Sequence, residues 1–449
     1  MRRALRAASL VVLGLVLVAA AAHAVCEAAV HAACEDCLRA GAARVALTVP
    51  DGTPLAGYGD RARRLLIPDV LGRYPHAFWF RPNEGWRNPL AARALVLEGG
   101  GRRLTWLAID LVAVDRAFTA RVARALEEAG WAPGTLIISA SHTHSGPGAF
   151  MESGLLGFVA VDRHDRDVRE ALVGSLVDAT RRAAASMVPA RIGSASVTAP
   201  NLTVGRLRQP VDREIVVLKI VSDAGAPVAG IWNYAIHGTT LPAGNLRFSG
   251  DVMGIASREL ERITGVPALF VNGAVADVSP SRHGEIESDN AGLELAAAVR
   301  SGWDAAERLV PARLAVATTR VTLPSPFLTV RNCTASWMPH WLTAPLGAAL
   351  PDDAELIAAR LGDVAWVTIP GELQSLLGKT VKRAGLPNLP RVFVAGLSND
   401  YLGYFLTPTD YRRTTYVSCA ALYGPQAGQI LTQAAETLIR QLANDGTRR

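Results

Sequence analysis

Two histidines two residues apart, His142 and His144, follow directly on the apolar run Thr135 to Ala140 (TLIISA) and precede a Ser-Gly-Pro-Gly turn. Residues i and i+2 of an extended segment point to the same side, so the spacing predicts two imidazoles side by side at a strand end. Such a pair is costly to bury without partners and well suited to gripping a metal or a substrate carbonyl. The pattern recurs. Val228 to Ile236 ends at His237, Ala268 to Val271 leads into NGAVADVSP with Ser279, Asp363 to Ile369 leads into Pro370-Gly371-Glu372, and Arg391 to Ala395 leads into GLSNDYLGY with Tyr404. Each of these polar residues lies shortly beyond a predicted strand. The carboxyl edge of an open α/β sheet is where ligands bind. Convergence on one edge of one sheet would assemble the two nitrogen and two oxygen donors that a catalytic zinc accepts.

The elements that must position these residues read as follows. Arg44 to Val49 is a short strand, and residues 61 to 91, rich in Arg, Pro and aromatics without a period, are a long ordered loop. Ala94 to Leu97 and Arg103 to Ile109 form a hairpin pair across Glu98-Gly99-Gly100-Gly101. Asp115 caps a helix over Arg116 to Ala129, and the strand Thr135 to Ala140 completes a βαβ unit, so Asp110 and His142 should leave the sheet on the same edge. A helix over Asp165 to Ser186 carries Val168, Leu172, Leu176 and Val177 on one face. Strands over Arg191 to Ala199 and Glu214 to Val221 follow. Glu372 is expected to open a helix running to Arg383, where the helix dipole would hold its carboxylate ionised, and Gln426 to Ala443 forms a last helix. The fold class is therefore α/β, a mixed, partly parallel sheet flanked by helices with the metal site at the carboxyl edge of the strands. One domain is expected over 44–449, behind a cysteine-containing linker at 25–43.

Composition narrows the function. The 449 residues are half hydrophobic and 19% charged, an ordinary globular balance. The net charge of +6 comes almost wholly from arginine, since all but three of the 46 basic residues are Arg, scattered and interleaved with acids. No basic stripe with interleaved aromatics is present, so no nucleic-acid partner is expected. Met1 to Arg6 is a positive n-region, Ala7 to Ala22 is apolar, and Ala22-His23-Ala24 fits a signal-peptidase site. Residues 1–24 are thus expected to be a signal peptide or an N-terminal membrane anchor, and the protein to be exported. In such a protein Cys34–Cys37 and Cys333–Cys419 are the natural bridges, leaving Cys26 odd.

Several of these blocks, taken in order, resemble the neutral (non-lysosomal) ceramidase family: SASHTHSGPG, WNYAIHGTTL with SGDVMG, NGAVADVSP, IPGEL with GK, and GLSNDYLGYFLTPTDY with TTY and YGP. The resemblance runs from about Arg44 to the C-terminus. It implies a zinc-dependent amidase acting on N-acylsphingosine or a related N-acyl lipid. Carried over block by block, it implies the zinc ligands His142, His237, Glu372 and Tyr404. It gives His144 a catalytic place beside the metal and Tyr416 the role of holding the tetrahedral oxyanion. Ser279 becomes a positioning residue or a nucleophile; no GxSxG elbow surrounds it, which favours metal-activated water. Where the family has an Asn-x-Asn-Arg block this sequence has Asn201 to Arg208 (NLTVGRLR), and Arg206 takes that place. Family members carry an immunoglobulin-like domain after the TTY block; this sequence runs on for about one helix, so the catalytic domain is expected without it.

The expected partner is a small-molecule or lipid amide, compatible with association at a membrane surface; nothing sets the oligomeric state. Two alternatives stay open, a metal-dependent esterase or phosphoesterase on the same scaffold and a non-catalytic cell-surface binding protein. Asp110 and Asp251 read as supporting or loop-capping groups, Tyr401 and Tyr411 as packing residues, and His76, His164, His283 and His340 as surface residues.

Overall fold

The computed structural model describes residues 37–445. The leader, Cys26 and Cys34 lie outside the described residues. An eight-stranded sheet is built from β1 (Arg39–Ala46), β2 (Ala91–Gly99), β3 (Arg102–Ile109), β4 (Thr135–Ala140), β5 (Val188–Thr198), β6 (Glu214–Ser222), β7 (Pro227–Tyr234) and β8 (Ala268–Asn272). Their order across the sheet is β4-β3-β2-β1-β5-β6-β7-β8. A second sheet, order β9-β10-β11-β12, is formed by β9 (Leu314–Thr322), β10 (Asp353–Leu361), β11 (Val364–Thr368) and β12 (Arg391–Ala395). The strand β1 begins at Arg39, ahead of the expected start at Arg44, so residues 39–43 pair with β2 rather than forming part of a linker.

Both faces of these strands are apolar because both are covered. On β3, Leu104, Trp106 and Ala108 point to one side and Leu107 and Ile109 to the other. The first set packs against Trp366 of β11 and Phe393 and Ala395 of β12, forming the layer between the two sheets. The outer face of the large sheet is covered near β1–β4 by helices α1 (Arg116–Glu128) and α2 (Arg166–Ala185), and near β6–β8 by α3 (Asp251–Thr264) and α4 (Glu285–Ala305). The outer face of the small sheet is covered by α5 (Ser375–Arg383) and α6 (Ala427–Asp445). The result is four layers, helices, sheet, sheet, helices. The mixed, helix-flanked sheet is as expected. The second sheet is not: the expected convergence on one edge of one sheet is replaced by strand ends from two. Periodicity marks a strand as buried on both faces but carries no information about which sheet it joins.

Within these two sheets three strand pairs are parallel: β3–β4, β7–β8 and β11–β12. Each is bridged by one helix, α1, α3 and α5 respectively, as a parallel pair requires. Asp115 caps α1 by accepting from the Phe118 amide at 2.8 Å, and Asp165 caps α2 at the Asp167 and Val168 amides. The loop at 61–91 is ordered by a buried carboxylate outside it: Asp162 accepts from the amides of Phe78, Trp79 and Phe80 at 2.8–3.1 Å. The expected Cys333–Cys419 bridge is present. Among the described residues no helix is long and apolar enough to cross a membrane.

The contact between the sheets centres on three rings. Trp366 is fully buried, 4.9 Å from Trp106 and 5.8 Å from Phe393 between ring centroids. Trp366→Ala is expected to destabilise the fold by about 3–5 kcal/mol through the cavity it leaves. Trp366→Phe, which also removes an indole N–H that has no hydrogen-bond partner, should cost much less. Urea unfolding midpoints of the two variants check this; equal midpoints would show that the rings are not the joint between the sheets.

Candidate metal centre

The three parallel pairs deliver the site. Beyond β4 and β7 the chain segments run side by side: Thr143 bridges Gly238 in parallel, the His144 amide donates to the Gly238 carbonyl at 2.9 Å, and the Gly238 amide donates to the His142 carbonyl at 3.2 Å. This places His142 against His237. A Cβ at Gly238 would lie 2.4 Å from the His142 carbonyl oxygen, so only glycine permits the approach. His142 itself has φ of 70°, in the left-handed region that a non-glycine residue adopts at a cost. The segment is therefore not extended, and the strand alternation expected to align His142 with His144 does not operate. A backbone kink brings the two rings together instead, 4.9 Å apart and nearly perpendicular.

The second sheet contributes the carboxylate. Glu372 lies in a two-residue parallel bridge, Glu372–Leu373 beside Tyr404–Phe405, and α5 starts only at Ser375. Glu372 therefore does not open the helix, and hydrogen bonding supports its carboxylate in place of the expected helix dipole. Tyr401 Oη donates to Glu372 Oε1 at 2.7 Å. Tyr401 packs against the core as expected, and its hydroxyl reaches the site as well; the NDYLGY block offered two tyrosines three apart, and nothing in their types told them apart. Tyr411 packs, with its hydroxyl 2.6 Å from Thr329 Oγ1.

The two sheets are locked at this edge by the loop Gly396 to Asn399. Its amides donate to Asn272 (2.9 Å), Gly371 (3.1 Å), Ile369 (3.2 Å) and Ile138 (2.9 Å), and Ala140 donates back to the Leu397 carbonyl at 3.1 Å. Asn399 accepts from the Ile138 amide at 2.7 Å and donates to Leu136 at 2.8 Å, pairing with the free edge of β4 as a further strand would. Ser139 and Ser398 hydroxyls meet at 2.7 Å. Asn272 at the end of β8 donates to the carbonyls of Ser141 and Ile236, tying the two histidine-bearing segments.

The resulting geometry is close. His142 Nε2 lies 3.0 Å from His237 Nε2, and Glu372 oxygens lie 3.4 and 3.3 Å from those two atoms. His142 Nδ1 donates to the Val112 carbonyl at 2.6 Å, which leaves Nε2 as the lone pair facing the cluster. All three side chains are buried. His142, His144 and His237 form a group whose ligand atoms lie within 4.8 Å of one another and could hold a metal ion. Burial first, then the charge of Arg206, pushes the His237 imidazole well below its ordinary pKa; burial first, then the charge of His142, does the same at His144. Both are neutral, the form that offers a lone pair. Glu372 Oε2 and both ring nitrogens of His144 are buried without hydrogen-bond partners. Native interiors leave few such atoms, and a cation held beside His142 and His237 would give them a partner.

The other expected residues surround this centre. Tyr404 is buried, and burial followed by the Glu372 charge raises its phenol well above the ordinary range, so it enters as a neutral phenol. Tyr416 is 67% exposed, with its ring set edge-on to Tyr404 at 6.0 Å, at the mouth of the site. Arg206 Nε donates to Ser279 Oγ at 2.7 Å, and the pair is carried on the bridged segments Thr203–Gly205 and Val278–Pro280. Two residues unforeseen in the sequence lie behind His144. Tyr58 meets its ring edge-on at 4.8 Å, and buried Arg63, its pKa lowered to about 10 by desolvation, donates to the Ala56 and His144 carbonyls. Asp251 accepts from the Val252 and Leu241 amides, holding the loop after His237, and Asp110 accepts from Ala91 and Arg93. His76 and His164 are half-buried rather than on the surface, His76 paired with Asp165 at 3.0 Å; His283 and His340 are exposed.

Residues 80–295 match the family described as neutral/alkaline non-lysosomal ceramidase, N-terminal. The neutral ceramidase of Pseudomonas aeruginosa is 26% identical over 212 residues, covering 42% of this chain and 32% of that protein. Neutral ceramidase B of Dictyostelium discoideum is 24% identical over 239 residues, covering 46% and 33%. The aligned stretch spans about a third of the length of these relatives. The crystal structure of the Pseudomonas aeruginosa neutral ceramidase superposes with a TM-score of 0.77 at 19% identity, covering 91% of this chain and 75% of that one. A structure described as "Ceramidase complexed with C2" gives 0.77 at 18%, covering 91% and 76%. At these identities the superpositions show a shared fold. His142, His144, Arg206, His237 and Ser279 lie inside the family match, whereas Glu372, Tyr404 and Tyr416 lie beyond it. Through residues 80–295 the chain is similar to the neutral/alkaline non-lysosomal ceramidase family.

Proposed function

We propose that the chain is an exported zinc amidase that cleaves the amide of an N-acyl lipid, ceramide or a close relative. The observation that carries this reading is the meeting of His142, His237 and Glu372 within 3.0–3.4 Å, with neutral, unpartnered His144 beside them. The names of the relatives supply the substrate class. The n-region and apolar run of residues 1–24 support export, and the Cys333–Cys419 bridge suits an oxidising compartment.

His142, His237, Glu372 and Tyr404 would hold the ion. Zinc, when bound, polarises an amide carbonyl and brings a water toward neutral pKa. The remaining work falls to side chains. His144 has both ring nitrogens free of protein partners and is held neutral, so it can take a proton from the attacking water and return it to the departing amine nitrogen. The balance is then complete: the C–N bond breaks, a C–O bond forms, and the water proton leaves with the amine. Tyr416 at the mouth donates to the developing oxyanion, and Arg206 orients the Ser279 hydroxyl toward the amide. Tyr401 and the Val112 carbonyl fix Glu372 and the His142 tautomer.

Three outcomes are expected. Wild type should bind one zinc per chain and release fatty acid from ceramide or a short N-acyl amide, and His142→Ala and Glu372→Ala should lose both, as read by elemental analysis and product release; zinc retained by both variants would sink the assignment. Tyr401→Phe should keep the fold but weaken zinc affinity by roughly 10–100-fold, measured by chelator competition. Ser279→Ala should lower kcat/KM by about 100-fold, as misplacement does; a loss nearer 10⁶-fold would make it the nucleophile.

A further inference from the structure

The fold leaves one apolar surface unused. In the loop before β2, Leu66, Ile67, Val70 and Leu71 are 104, 70, 74 and 78% exposed, and Phe158 and Val159 beside it are about half exposed. Single exposed apolar residues are ordinary, but a contiguous group marks an interaction site. The loop is fastened, not loose. Leu65 and Asp69 amides donate to the Trp79 and Phe78 carbonyls at 3.0 and 2.9 Å, and the buried Asp69 carboxylate accepts from Tyr74 at 2.6 Å and pairs with Arg73. The backbone is thus built to hold these side chains in water, an uncompensated cost in the isolated chain.

The surface adjoins the metal centre. Trp79 meets Phe158 edge-on at 5.3 Å, and Arg64 lies over Phe158 and Phe80 and donates to the Phe158 and Val159 carbonyls. The next carbonyl, Ala160, accepts from Gly57 at 2.8 Å, and a Cβ at Gly57 would lie 2.6 Å from the His144 ring. The apolar loop is therefore two short steps from His144. On the Tyr416 side, the turn Tyr416–Cys419 is tied by the disulfide to the segment after Cys333, where Trp337 and Trp341 are 81 and 79% exposed. The charge around the loop is cationic: Arg61 and Arg73 are exposed, Asp69 is buried, and Asp60 is the nearby exposed acid.

We propose that Leu66, Ile67, Val70 and Leu71, with Phe158, Val159, Trp337 and Trp341, form a docking surface that inserts into an anionic lipid bilayer and brings the rim of the site to the membrane. Aliphatic and Trp side chains enter the acyl boundary while arginines meet the headgroups, the arrangement of interfacial anchors. This deepens the lipid-amide reading, which supplies its purpose, but the binding itself requires no catalysis.

The test is co-sedimentation of the full chain with phosphatidylcholine vesicles, with and without phosphatidylglycerol, alongside Leu66→Glu/Leu71→Glu and Arg61→Glu. Wild type should bind the anionic vesicles. The double variant should bind them at least about tenfold more weakly at an unchanged thermal midpoint, and Arg61→Glu about fivefold more weakly, with a reduced salt dependence. Absence of wild-type binding, or equal binding by the double variant, would overturn the proposal. So would a wild-type dimer that the double variant converts to monomer with vesicle binding unchanged, since the surface would then bind a second copy. Hydrolysis of a water-soluble N-acyl amide by the same samples reads the function separately: vesicle binding without hydrolysis leaves the docking surface standing and removes the amidase.

Discussion

The site depends on a seam. His142 and His237 follow strands of one sheet and Glu372 follows a strand of the other, and their 3 Å proximity exists because the loop Gly396 to Asn399 is hydrogen-bonded to strand ends of both. Asn399 occupies the place of a further strand on β4, Ser398 meets Ser139, and the Gly396 amide reaches Asn272, which in turn ties the two histidine-bearing segments. Leu397 and Asn399 both take left-handed backbone angles to do so. Strain of this kind persists only where the surroundings over-determine it, and here the surroundings are two packed sheets. Below the seam the Trp106–Trp366–Phe393 layer holds the sheets in register.

This construction puts the donors on rigid elements. Three parallel pairs, each closed by its own helix, aim their carboxyl ends at one point, and the side chains there are buried. Burial keeps His144 and His237 neutral and Tyr404 protonated, so the centre offers lone pairs rather than positive charge. Of the nearby cations, Arg206 is turned toward Ser279 and Arg63 toward the Ala56 and His144 carbonyls. An uncompensated Glu372 oxygen in such a place is expensive unless a cation is its partner.

Much of this was legible in the chain alone. TLIISA and RVFVA run over the same residues as strands, Asp115 caps where the sequence places it, and the βαβ unit around α1 is parallel. These features follow from local patterns: alternation, caps and crossover handedness. What could not be read is what depends on distant pairing. Membership of β11 and β12 in a second sheet, the displacement of Glu372 from a helix start to a bridge with Tyr404, and the choice of Tyr401 as its hydrogen-bond donor are all set by contacts tens to hundreds of residues away. Arg63 was hidden for a similar reason, since an arginine in an aperiodic loop carries no mark of burial.

Anomalous diffraction at the zinc edge from zinc-loaded crystals would test the centre most directly. One strong peak is predicted within bonding distance of His142 Nε2, His237 Nε2 and a Glu372 oxygen, about 2.0–2.2 Å from each. No peak there, or zinc held instead by the half-buried His76–Asp165 pair, would contradict the assignment of this seam as the catalytic metal site.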